Sequence, residues 1–276
     1  MRTESRRWAR RVFRVFERKE PEQFRTTSSH GVSFASLPRP LLPESIFSTV
    51  AEDVRLTPDL LIRAYASGIF PMGDERTGTV RWYSPDPRAH LPLPDFHVPH
   101  NLRRRVRRGE FAVTSDEAFG GVIRACADRT RTWITPRIIQ AYTQLHERGF
   151  AHSVECWQDG ELAGGLYGVA LGGAFFGESM FFRVSNASKV ALVHLVRQMR
   201  AGGFRLLDTQ YSTDHLERFG VAEIPRAEYM QRLNEALSVD ATWWPLDEDD
   251  ASALDRPIGD FDDAETPPGN EAGPNG

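Results

Sequence analysis

Cysteine and lysine are nearly missing from this 276-residue chain. Cys126 and Cys156 are its only thiols. They are too few for a disulfide framework, and neither stands in a CxxC or Cys/His spacing that would hold a metal. A reducing, cytoplasmic setting is therefore expected, with no metal site. Lys19 and Lys189 are the only lysines among 34 basic residues, a ratio that by itself names no function. Long apolar runs are missing too. The longest uncharged one, 162–177, has 16 residues broken by six glycines, short of the roughly 20 that span a bilayer as a helix. No membrane span is expected.

What is present is ordinary for a folded protein: 40% hydrophobic and 26% charged residues, in a length that suits one large domain or two of roughly 100–200 residues. The net charge of −4 hides an asymmetry. Residues 1–19 carry +6 and residues 246–276 carry −9, which leaves −1 for everything between. Residues 1–30, with the run RRWARRVFRVFERKE, read as a basic, solvated, flexible arm. Residues 246–276, rich in Asp, Glu, Pro, Gly and Asn, read as a disordered acidic tail.

Between these ends the hydrophobic periodicity is legible. Thr57-Pro58 resembles an N-cap with proline at the first helical position, opening an amphipathic helix that Gly68 closes. RWYSPDPRAHLPL is proline-punctuated with short strand-like pieces, and PHNLRRRVRRGE reads as a basic helix ended by Gly109. A strand FAVTSD, a helix SDEAFGGVIRACAD capped by Ser115 or Asp116, and a helix PRIIQAYTQLHERG complete a mixed first half. From Ala151 the pattern becomes an antiparallel meander, AHSVECW, ELAGGLYGVA and AFFGESMFF, with turns at Gln158-Asp159-Gly160 and Leu171-Gly172-Gly173. A long helix capped by Asn186 or Ser185, the strand FRLLDTQ, a short helix capped by Thr213 and a helix opened by Pro225-Arg226 follow. The layout is α+β.

Asp208 and Gln210 stand two apart on one strand, so their side chains share a face. They are either a hydrogen-bonded pair or a strand end turned to water. Glu178 lies inside the apolar run AFFGESMFF, where an unpaired carboxylate costs several kcal/mol, so it requires a partner. An internal arginine and a substrate amine both qualify. Arg103, Arg104, Arg105, Arg107 and Arg108 make a cluster suited to phosphate or to a plain solvated helix face. Trp82 and Trp133 could stack on a base or simply pack. His97 and His100 flank Pro99 without a third ligand, and Thr213-Asp214-His215 does not make a triad. The glycines of GGLYGVALGG lie in hairpins rather than in a phosphate loop.

LLIRAYASGIFPM, WYSPDPRAHLPL, TWIT, AYTQLHERGFAHSVECW, GELAGGLYGVALGGAFFGESMFFRVSNASKVALVHL and LLDTQYSTDHLERFGVAEIPR, in that order over about residues 57–237, resemble the leucyl/phenylalanyl-tRNA-protein transferase family. The resemblance implies an α+β protein with a small N-terminal α/β domain over 31–150. A GNAT-like acyltransferase domain with a mixed, largely antiparallel sheet would follow over 151–245. It also implies transfer of Leu or Phe, with room for Met, from aminoacyl-tRNA to proteins with N-terminal Arg or Lys, tagging them for degradation. Asp208 and Gln210 would be the catalytic pair. Glu178, Leu166, Phe175, Met180 and Leu207 would line the aminoacyl pocket, Trp133 would lie against the terminal adenosine, and the Arg103–Arg108 cluster would meet the tRNA backbone. No cofactor is implied, and a monomer is expected. Two features depart from the family pattern: Met72 stands after GIFP where tryptophan is usual, and FSTVAEDVRL replaces a glycine-rich segment. A CoA-dependent N-acyltransferase would need a glycine-rich pyrophosphate loop where this chain reads FFRVSNASK. A binding protein that kept the fold without turnover is the remaining rival.

Overall fold

The computed structural model describes residues 55–243. The arm expected over 1–30 and the tail expected over 246–276 lie outside them. Helix α1 (Pro58–Ala66) starts where Thr57 accepts the Leu60 N–H through its side chain, and Pro58 supplies the preset first turn. A two-stranded antiparallel hairpin, β1 (Phe70–Gly73) with β2 (Val80–Tyr83), stands apart from the main sheet.

That main sheet has seven strands, drawn from both halves of the chain. In chain order they are β3 (Arg88–Leu91), β4 (Ala112–Ser115), β5 (Ala151–Gln158), β6 (Glu161–Leu171), β7 (Ala174–Phe182), β8 (Leu206–Gln210) and β9 (Ala222–Ile224). In space they run β4-β5-β6-β7-β8-β3-β9, and every neighbouring pair is antiparallel except β7 with β8. The fold is thus mixed α and β with a mostly antiparallel sheet, as the periodicity predicts. The parallel pair needs a crossover, which the long helix α5 (Ala187–Ala201) provides.

Helices cover both faces of this sheet. On one face pack α1, α3 (Phe119–Ala127), α4 (Pro136–Glu147) and α7 (Arg226–Leu237), burying Leu61, Tyr65, Val122, Ile138, Tyr142 and Tyr229 with the sheet residues Tyr167, Phe176 and Leu206. On the other pack α2 (His100–Arg107) and α5, burying Leu102, Val106, Leu192 and Val196 with Leu91, Leu166, Phe175 and Leu207. The meander and its turns sit where the alternation places them.

Beyond Thr57, the expected caps are less well placed. Helix α3 begins at Phe119 behind Ala118, because Ser115 ends β4 and Asp116 is taken by other work. Its backbone is left-handed (φ 65°), and its carboxylate accepts the Ser153 N–H at 2.9 Å and His152 Nδ1 at 2.8 Å. Asn186 and Thr213 do occupy the N-cap positions of α5 and of the short helix α6 (Asp214–Glu217), but neither side chain bonds the helix backbone.

Candidate active site

The pairing of β7 with β8 stops at Phe176 opposite Asp208. Past that point each strand carries one polar residue on the same face, Glu178 on β7 and Gln210 on β8. A bulge helps to aim Glu178. Tyr167 pairs with Ser179 and Gly168 with Gly177, so Glu178 is the extra residue in its strand and is skipped by the ladder. Residues 177–180, beyond the last β7–β8 pair, are half-buried.

Three groups converge on Glu178. Tyr65 donates to Oε1 at 2.7 Å, Gln210 Nε2 donates to the same oxygen at 3.0 Å, and Tyr142 donates to Oε2 at 3.1 Å. The hydroxyls of Tyr65 and Tyr142 also lie in contact, so their two protons are shared among three contacts, the one between them and the two to Glu178. Both tyrosines come from the buried stripe of an amphipathic helix, Leu61-Ile62-Tyr65 on α1 and Ile138-Ala141-Tyr142-Leu145 on α4. Burial pushes the Glu178 carboxyl up to about 7, the nearby Asp208 charge adds to the rise, and the three donors oppose it. Burial and the same carboxylate raise both phenols well above their ordinary value, so they remain donors at neutral pH.

Asp208 is fully buried and fully engaged. Its Oδ1 accepts Arg88 Nε at 2.9 Å and the backbone N–H of Gln210 at 2.8 Å, while Oδ2 accepts Arg88 Nη2 at 2.5 Å and the Tyr229 hydroxyl at 2.8 Å. Burial works against the Arg88 charge, but Asp208 more than offsets it and holds the guanidinium above its usual value. Gln210 has a left-handed backbone, φ 63°. Its side-chain amide is oriented by Glu178, not by Asp208, whose bond is to the backbone. No donor among the described residues meets its carbonyl oxygen.

The structure brings Asp208, Gln210 and Glu178 together, but Asp208 bonds the Gln210 backbone rather than its side chain. Glu178 is met by two tyrosines and Gln210 instead of an arginine, and it stands on the other face of the sheet from the apolar residues expected beside it. Leu166, Phe175 and Leu207 lie fully buried on the opposite, α5 face, with Met180 half-buried against them. Trp133 packs half-buried on the Glu178 side together with Met72 and Trp82. Its carbonyl accepts the Gly73 N–H at 3.0 Å, an approach open only to glycine, since a Cβ there would lie 2.7 Å from that oxygen. Arg103, Arg104, Arg105 and Arg107 on α2 and Arg108 at its C-cap are all exposed, and Arg105 pairs with Glu110 at 2.6 Å. Sequence reasoning missed Tyr65, Tyr142, Tyr229 and Arg88. The tyrosines had a usable signal, because a phenol on a buried helical stripe requires a hydrogen-bond partner.

No group of three or more His, Cys, Asp or Glu residues suited to a metal occurs among the described residues. No helix among them is long and apolar enough to cross a membrane.

Family profiles cover most of these residues. One described as leucyl/phenylalanyl-tRNA protein transferase matches residues 90–234, and one for the N-terminal domain of the same proteins matches residues 55–86. A leucyl/phenylalanyl-tRNA–protein transferase of Salinibacter ruber is 72% identical over 222 residues, 80% of this chain and 98% of that protein. One of Paramagnetospirillum magneticum is 57% identical, covering 68% of this chain and 92% of its own. One of Herpetosiphon aurantiacus is 56% identical, covering 68% and 98%. A solved structure of a functionally unknown conserved protein from Staphylococcus epidermidis aligns at 9% identity over 67% of each chain, with a TM-score of 0.37, too slight a likeness for any argument about fold. Profiles that follow one another along the chain, and relatives matched over nearly their whole length, place it in the leucyl/phenylalanyl-tRNA–protein transferase family.

Proposed function

We propose that the chain moves leucine or phenylalanine, with room for methionine, from aminoacyl-tRNA to the α-amino group of proteins that begin with Arg or Lys. The product is a protein tagged for degradation in the cytoplasm. The observation that carries this reading is the Gln210 amide. Its Nε2 is tied to Glu178, and its carbonyl oxygen stands without a donor among the described residues, just beyond the point where the pairing of β7 with β8 ends.

The chemistry requires little else. The ester on the terminal ribose is already activated, and holding the two reactants in line is worth about 7–11 kcal/mol. The neutral acceptor amine attacks the ester carbonyl, a C–N bond forms, the C–O bond to the ribose breaks, and one amine proton ends on the departing ribose oxygen. Gln210 Oε1 accepts a hydrogen bond from the amine as it gains positive charge, while the Glu178 carboxylate adds negative potential beside it. Asp208 contributes through the Gln210 backbone that it holds. No cofactor takes part.

The apolar residues Leu166, Phe175 and Leu207, buried on the α5 face with Met180 half-buried against them, are read as the surroundings of the donor's side chain. Such a pocket separates similar apolar groups by only about 1–3 kcal/mol, which is why methionine is tolerated. Trp133 is read as the face for the terminal adenosine, with Met72 beside it in the place where the family usually has tryptophan. The exposed arginines 103–108 are read as backbone contacts for the tRNA. On this reading residues 31–150 are an N-terminal unit that lends β3 and β4 to the sheet of a GNAT-like catalytic unit, 151–245, in a monomer.

The test is transfer of labelled leucine from Leu-tRNA to a peptide with N-terminal Arg, beside Asp- and Glu-starting peptides and with acetyl-CoA as rival donor. Label on the Arg peptide is expected. Label only on acidic N-termini would overturn the acceptor assignment, and no tRNA-dependent label on any peptide would sink the transferase reading.

A further inference from the structure

Arg88 is the largest of the fully buried side chains among the described residues, with 1% of its surface exposed. Its guanidinium is held on every side. Nε and Nη2 fork onto Asp208, Nη1 donates to the Gly68 carbonyl at 3.1 Å, and Cζ lies over the rings of Phe70 and Tyr229, 4.8 and 4.6 Å from their centroids. Gly68 is itself fixed: its φ is 72°, and a Cβ would stand 2.6 Å from Met230 Sδ. This arrangement has a consequence for Asp208. Each carboxylate oxygen already accepts two hydrogen bonds, and the formal charge is matched by the fork. What Asp208 passes on is a position, because the bond to the Gln210 N–H holds that residue in the left-handed conformation from which its side chain turns back to Glu178.

We infer that Arg88 is a positioning residue for the transfer: with Tyr229 it fixes Asp208, Asp208 fixes the Gln210 backbone, and the negative charge of Asp208 is not spent on the substrate. The inference rests on the transferase reading and separates from it experimentally. Wild-type protein that transfers nothing defeats the reading, whereas active wild type with the outcomes below defeats only the inference.

The test is a neutral pair. Asp208→Asn keeps an oxygen for the Gln210 N–H and an amide donor for Tyr229 but leaves Arg88 unpaired in the core. Arg88→Met leaves the carboxylate unpaired. Each single variant is expected to lose kcat on the order of 10²-fold, the scale of a small misplacement of reacting groups. KM for Leu-tRNA and for the Arg peptide should stay near wild type. Combining Arg88→Met with Asp208→Asn removes both charges and keeps the bond to Gln210, and kcat per folded molecule should return to within about tenfold of wild type, the coupling expected of groups that act as a unit. A double variant no faster than Asp208→Asn alone would show that the charge itself acts on the substrate and would overturn the inference.

Should the double variant fail to fold, Arg88→Lys carries the test, since an ammonium retains the charge without the fork. Its kcat should fall while the Gln210 backbone amide loses its protection from hydrogen exchange. A fall in kcat with the Gln210 amide still protected would equally overturn the inference.

Discussion

The two faces of the sheet at β7 and β8 hold their residues in different ways. On the α1/α4/α7 face, Glu178, Asp208 and Gln210 are fixed by directed bonds from Tyr65, Tyr142, Arg88 and Tyr229, and every polar atom of the two carboxylates is engaged. On the α5 face, Leu166, Phe175 and Leu207 are held by apolar packing alone. Directed bonds define one geometry and tolerate little change of atom type. Apolar packing defines a volume and tolerates atoms that fill it. On the proposed reading the reaction makes the same division: the attacking amine must be aligned, whereas the donor side chain need only fit.

The largest expected effect breaks the polar face outright. Asp208→Ala leaves the Arg88 guanidinium buried without a counter-charge and the Gln210 N–H without an acceptor. Removing one partner of a buried pair costs about 3–5 kcal/mol. Chemical denaturation should show that loss, and transfer should disappear with it. A loss under about 1 kcal/mol, the scale of an exposed pair, would mean that water replaces the carboxylate and that the two faces differ less than their geometry says.

Protonation sharpens the comparison next. The Glu178 carboxyl, held up at about 7, is largely neutral at pH 6 and ionised at pH 8. Because the folded value lies above the unfolded one of about 4.5, the folded state binds the extra proton. The stabilisation is complete below about pH 4.5 and is lost as pH rises through about 7, to an upper bound of about 3 kcal/mol that solvent at the half-buried carboxyl reduces. On the proposed reading activity should run the other way, since only the carboxylate is a pure acceptor that fixes Gln210 with its carbonyl oxygen toward the amine. From pH 6 to 8 the wild type should lose stability and gain kcat. Glu178→Gln should flatten the stability slope and leave only the rise due to the acceptor's own amine. A parallel stability slope in both proteins would place the titration elsewhere.

How much of this is visible before the structure follows the range of the interactions. Helix starts and stops, the meander and the shared face of Asp208 and Gln210 are local, and each is legible in spacing. The need of Glu178 for a partner is legible too, from its apolar neighbours, but the partner's identity is not, because Tyr65 and Tyr142 reach it from 113 and 36 residues away. Arg88 is the least legible. In SPDPRAHLPL it resembles a surface arginine among prolines, and only the insertion of β3 between β8 and β9 buries it, a pairing across 120 residues that no local pattern encodes. The bulge at Glu178 hides a further point. Uninterrupted alternation would put Met180 on the face of Glu178, whereas the extra residue sends it to the α5 side.

A smaller effect is expected on the apolar face. Leu207→Met conserves volume and should cost less than about 1.5 kcal/mol, because the unbranched chain adapts to the same space. Its consequence should be in choice of donor rather than rate. The ratio of Phe to Leu transfer, measured with both charged tRNAs in one reaction, should shift by several-fold while kcat for the preferred donor stays within about twofold, since one methylene's difference is worth about 1–3 kcal/mol at most. A large fall in kcat with an unchanged ratio would mean that this face also aligns the reacting groups.

The smallest effect on folding should come from α2, which presents its arginines to water and only Leu102 and Val106 to the core. Replacing Arg103, Arg104 and Arg107 by Ala touches no buried partner and should change stability by no more than about 0.5 kcal/mol per site. Arg105 is better left in place because its exposed pair with Glu110 would mix a second, weak effect into the result. If these guanidinium groups meet tRNA phosphates, affinity for uncharged tRNA should fall, and the dependence of log K on log salt should become shallower by about 0.7–0.9 for each phosphate no longer neutralised. Transfer from a short aminoacylated 3′-end analogue, which does not extend to a helix on the far face of the sheet from Gln210, should stay unchanged. An equal fall with the full tRNA and with the short analogue would instead tie the α2 arginines to the reacting end, and the division of labour between the two faces would fail.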